Sequence, residues 1–548
     1  MIEPWQVQYL FFLLLHLQKG LQKLRCILKG GKNHYFLIVT SINHTLGVQS
    51  QTVAGRIVAI APSILCRTTQ TMNLPRKYMG DMTLIQISGL KIHRGSRLII
   101  SDLNFELNEG EVVALVGPNG CGKTTLLESS AGMHTISSGS IHWKHDSYGM
   151  KLVRDSEGRR NSLPPMGLTL QKNGISGEET VQERIKTVLQ VSGCEFDNIK
   201  ISELLDCWGL KHRSSDRVSQ LSGGLARRLS VLSGLAPALL SQEPRAVLLD
   251  EPSEGLDESA KSLLINWLRA LILRGHGIVI ATHDSDLISA ADRILTFSDD
   301  RKIIFSAQSQ PESNFVIPKF TNNISVKKTS SLLNWAYRME KRNPVDTINR
   351  LIPAILALFL SHTLVSEEDI SALGVDFLSA LILLPPFISV VIPPALISRY
   401  AEENCGRWWS AIIGPKFRLS SSIIGSSILL PIPLIYISWF ILSDNISIAN
   451  DSVVYWLWLP CLVMYLVAIA ASSLHLLVSD LRRSGASVVS LLLLVLVWPF
   501  IELVDSLEMI IINGMSMGIS LEEPIFMMFL AGLISFLVWM VSVYLPEA

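Results

Sequence analysis

The 548-residue chain has no excess of charge: 47 Lys and Arg stand against 47 Asp and Glu, a formal net of +0. That excludes the global basic footprint of a nucleic-acid-binding protein. Patterned cysteine is also missing. Seven cysteines are scattered at positions 26, 66, 121, 194, 207, 405 and 461, with no CxxC pair. This excludes a disulfide framework and a cysteine-based structural zinc site, and it fits a reducing compartment. Residues 1–80 lack acids, holding nine Lys and Arg against the single Glu3. They also lack a run long enough to cross a bilayer: Phe11–Leu17 falls far short of the ~20 residues required. Its positive charges follow the apolar run rather than precede it, unlike a secretory signal. Residues 1–80 are expected to be an unassigned, poorly ordered stretch, with Met79 or Met82 as the natural start.

What is present is a phosphate-binding loop. Gly117-Pro118-Asn119-Gly120-Cys121-Gly122-Lys123-Thr124 fits GxxxxGK[ST], after the apolar run Val112–Val116 and before the helix-like Thr125-Leu126-Leu127. Glycines let backbone N–H groups curl around phosphate oxygens, and a helix N-terminus adds partial positive charge. Lys123 is expected to reach the β- and γ-phosphates, the Thr124 hydroxyl to ligate Mg²⁺, and Thr125 to lie among the ATP-binding residues. Cys121 fills a position that wants a small side chain, so its oxidation or alkylation would block the loop. Farther on, Ala246–Leu249 reads as a buried strand ending in Asp250 and Glu251. Asp250 would reach magnesium directly or through water, and Glu251 would polarise the attacking water or accept its proton.

Between these two motifs stands Leu221-Ser222-Gly223-Gly224, followed by Leu225-Ala226-Arg227-Arg228. This order resembles the ATP-binding-cassette ATPases. The resemblance implies a Q-loop role for Gln171, contacting metal and water. It implies a D-loop over Ser253–Asp257, a switch role for His283 at the γ-phosphate, and ATP contacts from Ser222, Gly223, Gly224 and Asp257. Thr124, Gln171 and Asp250 become the expected magnesium ligands, and Glu251, His283 and Gln171 the catalytic set. The family usually stacks an aromatic ring on adenine. Here Ile92-His93-Arg94-Gly95-Ser96-Arg97 offers none, leaving His93 or Arg94 to stack by a flat face.

Mean hydropathy is +0.36 and 49% of residues are apolar, high for a soluble enzyme. Six apolar stretches lie at about 347–365, 377–397, 420–442, 453–478, 486–504 and 525–545. Single stretches of this kind can be buried core helices; six in succession read as membrane spans. The loops alternate in charge. The first (Glu367, Glu368, Asp369, Asp376), third (Asp444, Asp451) and fifth (Glu508, Glu522, Glu523) are acidic. The second (Arg399, Arg407, Lys416, Arg418) and fourth (Arg482, Arg483) are basic. Basic loops stay cytoplasmic, which places the ATPase and both termini inside. The second loop carries Trp408-Trp409, fit for an interfacial helix or for a coupling helix docked on the ATPase. Glu502, Asp505 and Glu508 share one helical face; a buried acidic stripe would suggest a proton or substrate path, and the wet side of a re-entrant or outer-surface helix is the plainer reading.

The second half resembles the membrane subunit of the cytochrome c biogenesis haem exporter (CcmB), through Glu402–Trp409, Pro415 and Leu481–Ala486. The first half resembles its ATPase subunit (CcmA). Only His362 and His475 lie beyond residue 320 as candidate axial haem ligands, and a satisfied polar role is the plainer reading of each. The expected fold is an α/β P-loop ATPase with a helical subdomain over 83–310, a polar basic linker over 311–346, and an all-α six-helix transmembrane domain over 347–548. One phosphate loop and one LSGG per chain imply a homodimer in the plasma membrane, hydrolysing ATP with Mg²⁺. Its partners would be membrane lipid, a second copy, and cytochrome c maturation proteins, with no nucleic acid. Export of another lipid, drug or polysaccharide is the alternative, and a soluble non-transport cassette ATPase is the reading the spans oppose.

Overall fold

The computed structural model describes residues 83–145, 149–194, 196–297, 303–307, 330–364, 374–414, 431–443, 453–478, 493–514 and 523–544. The start-site reading of residues 1–80 lies outside them, as does most of the charge alternation, including Glu367, Lys416, Asp444 and Arg482.

Two sheets build the first half. Strands β1 (Thr83–Arg94) and β2 (Arg97–Asn108) form a hairpin that joins β4 (Ser138–His145) and β5 (Gly149–Asp155) in an antiparallel sheet ordered β2-β1-β4-β5. The second sheet runs β10-β9-β3-β8-β7-β6. Its members are β3 (Val112–Val116), β6 (Gly167–Thr169), β7 (Ala246–Asp250), β8 (Gly277–Ala281), β9 (Arg293–Phe297) and β10 (Ile303–Ala307). The pairings from β6 through β9 are parallel, and β10 is an antiparallel edge. Strands β7 and β8 are buried throughout, which is why AVLLD and GIVIA are nearly unbroken apolar runs rather than alternating ones. Register then fixes the site. Leu115 pairs with Ala281 and Ala281 with Asp250, so the loops after three adjacent strands leave one sheet edge together.

Helix α1 (Lys123–Ser130) leaves the phosphate loop, and α2 (Val181–Ser192) and α3 (Asn198–Cys207) form the helical subdomain. Helix α4 (Gly223–Leu239) starts at the LSGG motif, and α5 (Glu258–Leu273) and α6 (Ser285–Ser289) follow. Thr180 and Glu183 close a capping box on α2. A Cβ on Gly234 of α4 would sit 2.1 Å from Thr169 Oγ1 and 2.7 Å from Leu168 O, so glycine there sets the approach of the signature helix to β6.

His276, one residue before β8, is 1% exposed, and its Nδ1 accepts from the Arg245 amide at 3.0 Å. Burial, with the Arg274 and Arg245 charges behind it, holds the imidazole down at about 4 instead of 6.5. The unfolded chain therefore binds a proton that the fold refuses. Stability is full above pH 6.5 and declines towards pH 4, by up to about 3 kcal/mol. His276→Asn, whose amide oxygen can replace Nδ1, should flatten that acid limb in urea unfolding at a cost near neutrality of about 1–2 kcal/mol. An unchanged acid limb would remove His276 as its cause.

The region expected as a polar linker is helical in its second part, α7 (Ser330–Lys341). Trp335 and Met339 are buried there, and Arg342 just beyond clamps both Glu183 oxygens at 2.7 and 2.8 Å. Then come α8 (Pro344–Leu364), α9 (Val375–Val391), α10 (Ala395–Glu402), α11 (Cys405–Ile413), α12 (Pro431–Ser443), the short α13 (Val453–Trp456), α14 (Trp458–Val478), α15 (Val497–Asn513) and α16 (Pro524–Tyr544). Among the described residues two helical segments are long and apolar enough to cross a membrane, Val453–Leu477 and Pro524–Val543, with Val375–Val391 and Ile432–Leu442 as shorter apolar ones. The stretch expected over 377–397 stops at Val391, because Pro393-Pro394 cannot continue the hydrogen-bond ladder. Of the stretch expected over 486–504, residues 486–492 lie outside the described residues; the described part enters a helix over Val497–Asn513 that runs nine residues past 504. Glu502, Asp505 and Glu508 lie on that helix as expected, but Glu502 is buried rather than on a wet face, its carboxylate accepting from Trp498 Nε1 at 2.9 Å.

Candidate functional site

The phosphate loop bends where its glycines allow it. Gly117, Gly120 and Gly122 have φ of 154°, 80° and 118°. A Cβ on Gly117 would meet Phe297 O at 2.7 Å, and one on Gly122 would meet Ile99 Cγ2 at 2.8 Å. Lys123 starts α1 and is 7% exposed. Its Nζ donates to Gly117 O at 2.7 Å and Pro118 O at 3.1 Å. His283, after β8, brings Nε2 to 3.0 Å from both Lys123 Nζ and Asn119 Oδ1. One ring nitrogen cannot accept from the ammonium and donate to the amide oxygen together, so its tautomer selects the partner.

Asp250 closes β7 and is 3% exposed. Burial pushes its carboxyl up to about 6; the Thr124 hydroxyl, which bonds it, opposes the rise, while the Glu128 and Glu251 charges add to it. Asp250 Oδ2 is buried without a hydrogen-bond partner. A desolvated carboxylate oxygen beside a threonine hydroxyl is a hard oxygen donor set, and it fits a divalent cation such as Mg²⁺. Gln171 lies on the segment after β6 with its side chain exposed, two residues beyond the strand end.

Glu251 carries a φ of 44°, in the left-handed region that a glutamate seldom occupies. Its amide donates to Ala281 O at 2.8 Å, and its carboxylate Oε2 accepts from the His283 amide at 3.4 Å. Oε1 lies 3.5 Å from His283 Nε2. Lys123, Glu251 and His283 thus share one pocket at the strand ends.

Arg227 organises this edge, and sequence motifs alone did not assign it. Its NH1 donates to Leu170 O at 2.9 Å, Gln171 O at 3.1 Å and Asn173 Oδ1 at 3.4 Å. Its NH2 donates to Asp250 O at 3.0 Å and Glu251 O at 2.6 Å. One buried guanidinium therefore binds the signature helix to both the Gln171 segment and the Asp250-Glu251 turn.

Ser222 caps α4 by accepting from Leu225 N at 3.4 Å, and Gly223 has open space where a Cβ would point. Among the described residues no hydrogen bond or ion pair joins Ser222, Gly223 or Gly224 to residues 117–124. Asp257 pairs with Arg228 at 2.5 Å and accepts from Ser259 Oγ at 2.6 Å, contacts that hold its carboxyl down at about 2. At the expected adenine position His93 bonds Ser137 Oγ at 2.9 Å, and Arg94 reaches toward His134 at 3.5 Å and Glu128 at 4.0 Å. These contacts use the in-plane edges of both groups and leave their flat faces exposed.

The helix α11 sits against this ATPase half. Trp408 and Trp409 are 1% and 0% exposed. Trp408 Nε1 donates to Leu168 O, on the strand that precedes Gln171, at 2.9 Å. The Arg184 guanidinium lies 3.9 Å from the Trp408 ring centroid, with Glu179 at 3.5 Å on its other side and both residues wholly buried. The indole face and the carboxylate offset only part of the water lost by that charge: the three guanidinium nitrogens lack hydrogen-bond partners, and burial pushes the Glu179 carboxyl up and the Arg184 guanidinium down from their ordinary values. Glu403 Oε1 accepts from Gly177 N at 3.1 Å, and Arg160 donates to Ser410 O at 2.8 Å. A Cβ on Gly174 would lie 3.1 Å from Trp408 Cβ, so a side chain there would push the helix away.

A family model described as ABC transporter matches residues 100–254. The chain is 32% identical over 224 residues to the Nod factor export ATP-binding protein I of Rhizobium sp. (strain N33), covering 40% of this chain and 69% of that one. It is 33% identical over 232 residues to the aliphatic sulfonates import ATP-binding protein SsuB 3 of Paraburkholderia xenovorans (strain LB400), covering 42% of this chain and 82% of that one. A solved structure titled as the ATP binding subunit of an ABC transporter aligns with 41% of this chain and 90% of its own, at 21% identity and a TM-score of 0.35.

Proposed function

This chain belongs to the ABC transporter family, whose ATPases hydrolyse ATP to drive transport, and from that premise we propose that it is a half-transporter working as a homodimer. Residues 83–310 are the ATPase, 311–346 the connecting segment, and 347–548 a six-span membrane domain with both termini on the cytoplasmic side. The observation that carries this reading is the seat of α11 on the ATPase, where Trp408 bonds the strand leading to Gln171. A membrane-side loop packed that closely cannot stay still when the ATPase changes shape.

In the proposed cycle the N–H groups of Asn119–Lys123 and the Lys123 ammonium bind the β- and γ-phosphates, beside Gly117, Pro118, Thr124 and Thr125. Thr124, Gln171 and Asp250 would hold Mg²⁺, which when bound neutralises charge on the phosphate oxygens. Glu251 orients water and takes its proton, and His283 meets the γ-phosphate. The open N-terminus of α4 gives Ser222, Gly223 and Gly224 to the nucleotide held by the second copy, with Asp257 beside them.

For cargo the reading is haem, or release of a haem-loaded chaperone, supported by the resemblance over Glu402–Trp409; Leu481–Ala486 lies outside the described residues. His475 already donates Nε2–H to Val391 O at 2.9 Å, which supports a structural role for it. The two relatives are named for export of one cargo and import of another, so similarity in the ATPase does not itself carry a cargo.

One variant tests both levels. Lys123→Ala in the reconstituted full chain should weaken ATP binding at least about thirtyfold, the loss for removing a buried charged partner. Cells holding only that variant should lose c-type haem staining. Unchanged affinity would remove the phosphate-loop role, and normal staining with a dead ATPase would remove haem and leave another lipid, drug or polysaccharide cargo.

A further inference from the structure

The phosphate-loop helix α1 carries a second polar side chain whose partners come from three directions. Glu128 lies five residues after Lys123 and four after Thr124, and its side chain is 6% exposed. Its Oε2 accepts from Arg407 NH2 at 2.9 Å and from His134 Nε2 at 2.6 Å, with Arg94 NH2 at 4.0 Å. Arg407 belongs to α11, 279 positions away in the chain, and directly precedes the anchored Trp408. Beside the Arg160–Ser410 bond, helix α11 is thus held by an indole to β6 and by a guanidinium to α1.

Burial alone would push the Glu128 carboxyl upward. The His134 bond and the Arg407 charge outweigh it and hold the group below the usual range, so it is ionised at neutral pH. Two partners on one oxygen make the contact breakable. When Arg407 withdraws, His134 still donates to the carboxylate, and Arg94 remains 4.0 Å away.

We propose that Arg407 is a positioning residue for ATP hydrolysis, tying the second membrane loop through Glu128 to the helix that presents Lys123 and Thr124. This rests on the ATPase reading above. It gives the loop a line to the phosphate-binding groups that does not pass through the Gln171 segment. Rotation of α11 about its Trp408 anchor would load or release α1 directly.

The test uses the full chain in lipid nanodiscs, with wild type, Arg407→Gln, Arg407→Lys, Glu128→Gln and the Arg407→Gln/Glu128→Gln double variant. Arg407→Gln should lower kcat about tenfold with KM for MgATP within about twofold, since the groups are present but misplaced. Arg407→Lys, which keeps the charge, should recover to within about threefold of wild type. The double variant should be no slower than either single one, because both break one contact. Arg407→Gln turning over like wild type overturns the proposal, and so does a double variant that loses the product of the two single losses. A rise in KM alone overturns it as well, by making the contact a matter of affinity. Should Arg407→Gln not fold, Glu128→Gln with Arg407→Lys decides: wild-type turnover of Glu128→Gln, or a loss beyond about threefold in folded Arg407→Lys, rejects the charge link, and a loss in Glu128→Gln with Arg407→Lys within about threefold of wild type upholds it. A wild type that hydrolyses no ATP removes the underlying ATPase reading, whereas an active wild type matched by Arg407→Gln removes this proposal only.

Discussion

Glu251→Gln is expected to lower steady-state ATP turnover by about 10²–10⁴-fold while ATP remains bound, the range for losing a positioned general base. The substitution is nearly isosteric. The amide oxygen can still accept from the His283 amide, and the backbone bond from Glu251 N to Ala281 O is untouched. What disappears is the ability to take a proton. Binding and closure should therefore survive, and the ATP-loaded homodimer should accumulate because the step that reopens it is blocked. Size-exclusion chromatography with and without MgATP, beside a phosphate-release assay, reads both consequences. Turnover near that of wild type would remove Glu251 from its assigned role and leave its φ of 44° as backbone strain with no chemical use.

Arg227→Ala is expected to be the most damaging change outside the phosphate loop. The guanidinium makes five hydrogen bonds to acceptors in two segments. Alanine leaves those acceptors unpaired beneath a buried surface, at a cost of about 3–5 kcal/mol. In a domain of this size that lowers the apparent Tm by roughly 6–20 °C. Turnover should fall as well, because Arg227 NH2 holds the carbonyl of Glu251 in its left-handed turn. Lysine should not rescue the variant, since a single ammonium cannot reproduce a planar fork aimed at both segments. Thermal unfolding of the detergent-solubilised protein, paired with ATPase rates, decides the matter. An unchanged melting curve for Arg227→Ala would show that water or a neighbouring side chain satisfies the same carbonyls.

The contrast between these two residues shows what the sequence could disclose. Glu251 was readable because its chemistry is local: an apolar strand delivers an acid pair to a sheet edge, and strand register does the rest. Lys123 was marked by its glycine loop, and His283 only by its order in the family resemblance; the structure brings both to the same sheet edge. Arg227 stood in plain view beside the LSGG motif, yet its partners are mostly main-chain carbonyls, which every residue has and no motif marks. Arg407 and Glu128 are complementary, but a pairing across 279 positions has no signature in a single chain. Trp408-Trp409 left two readings open, an interfacial helix and a docked one. Burial of both rings against Arg184 and Leu168 places them on the ATPase. In the C-terminal half hydropathy located apolar stretches but not every helix end: one helix stops where Ile392 turns extended before Pro393, and another runs on through three acids. Hydropathy sums side chains, so it misses a backbone break between apolar residues, and it ends a stretch at acids that the helix runs on through.

The outward-facing cap of α4, with no bond to its own phosphate loop, has a genetic consequence. On the proposed pairing each polypeptide lends Ser222 to its neighbour's nucleotide and borrows the neighbour's in return. A copy inactivated at Ser222 would poison the healthy one it meets, so such alleles would act dominantly, whereas alleles that merely prevent synthesis would be recessive. Inheritance pattern would then separate lesions of the shared surface from lesions of folding.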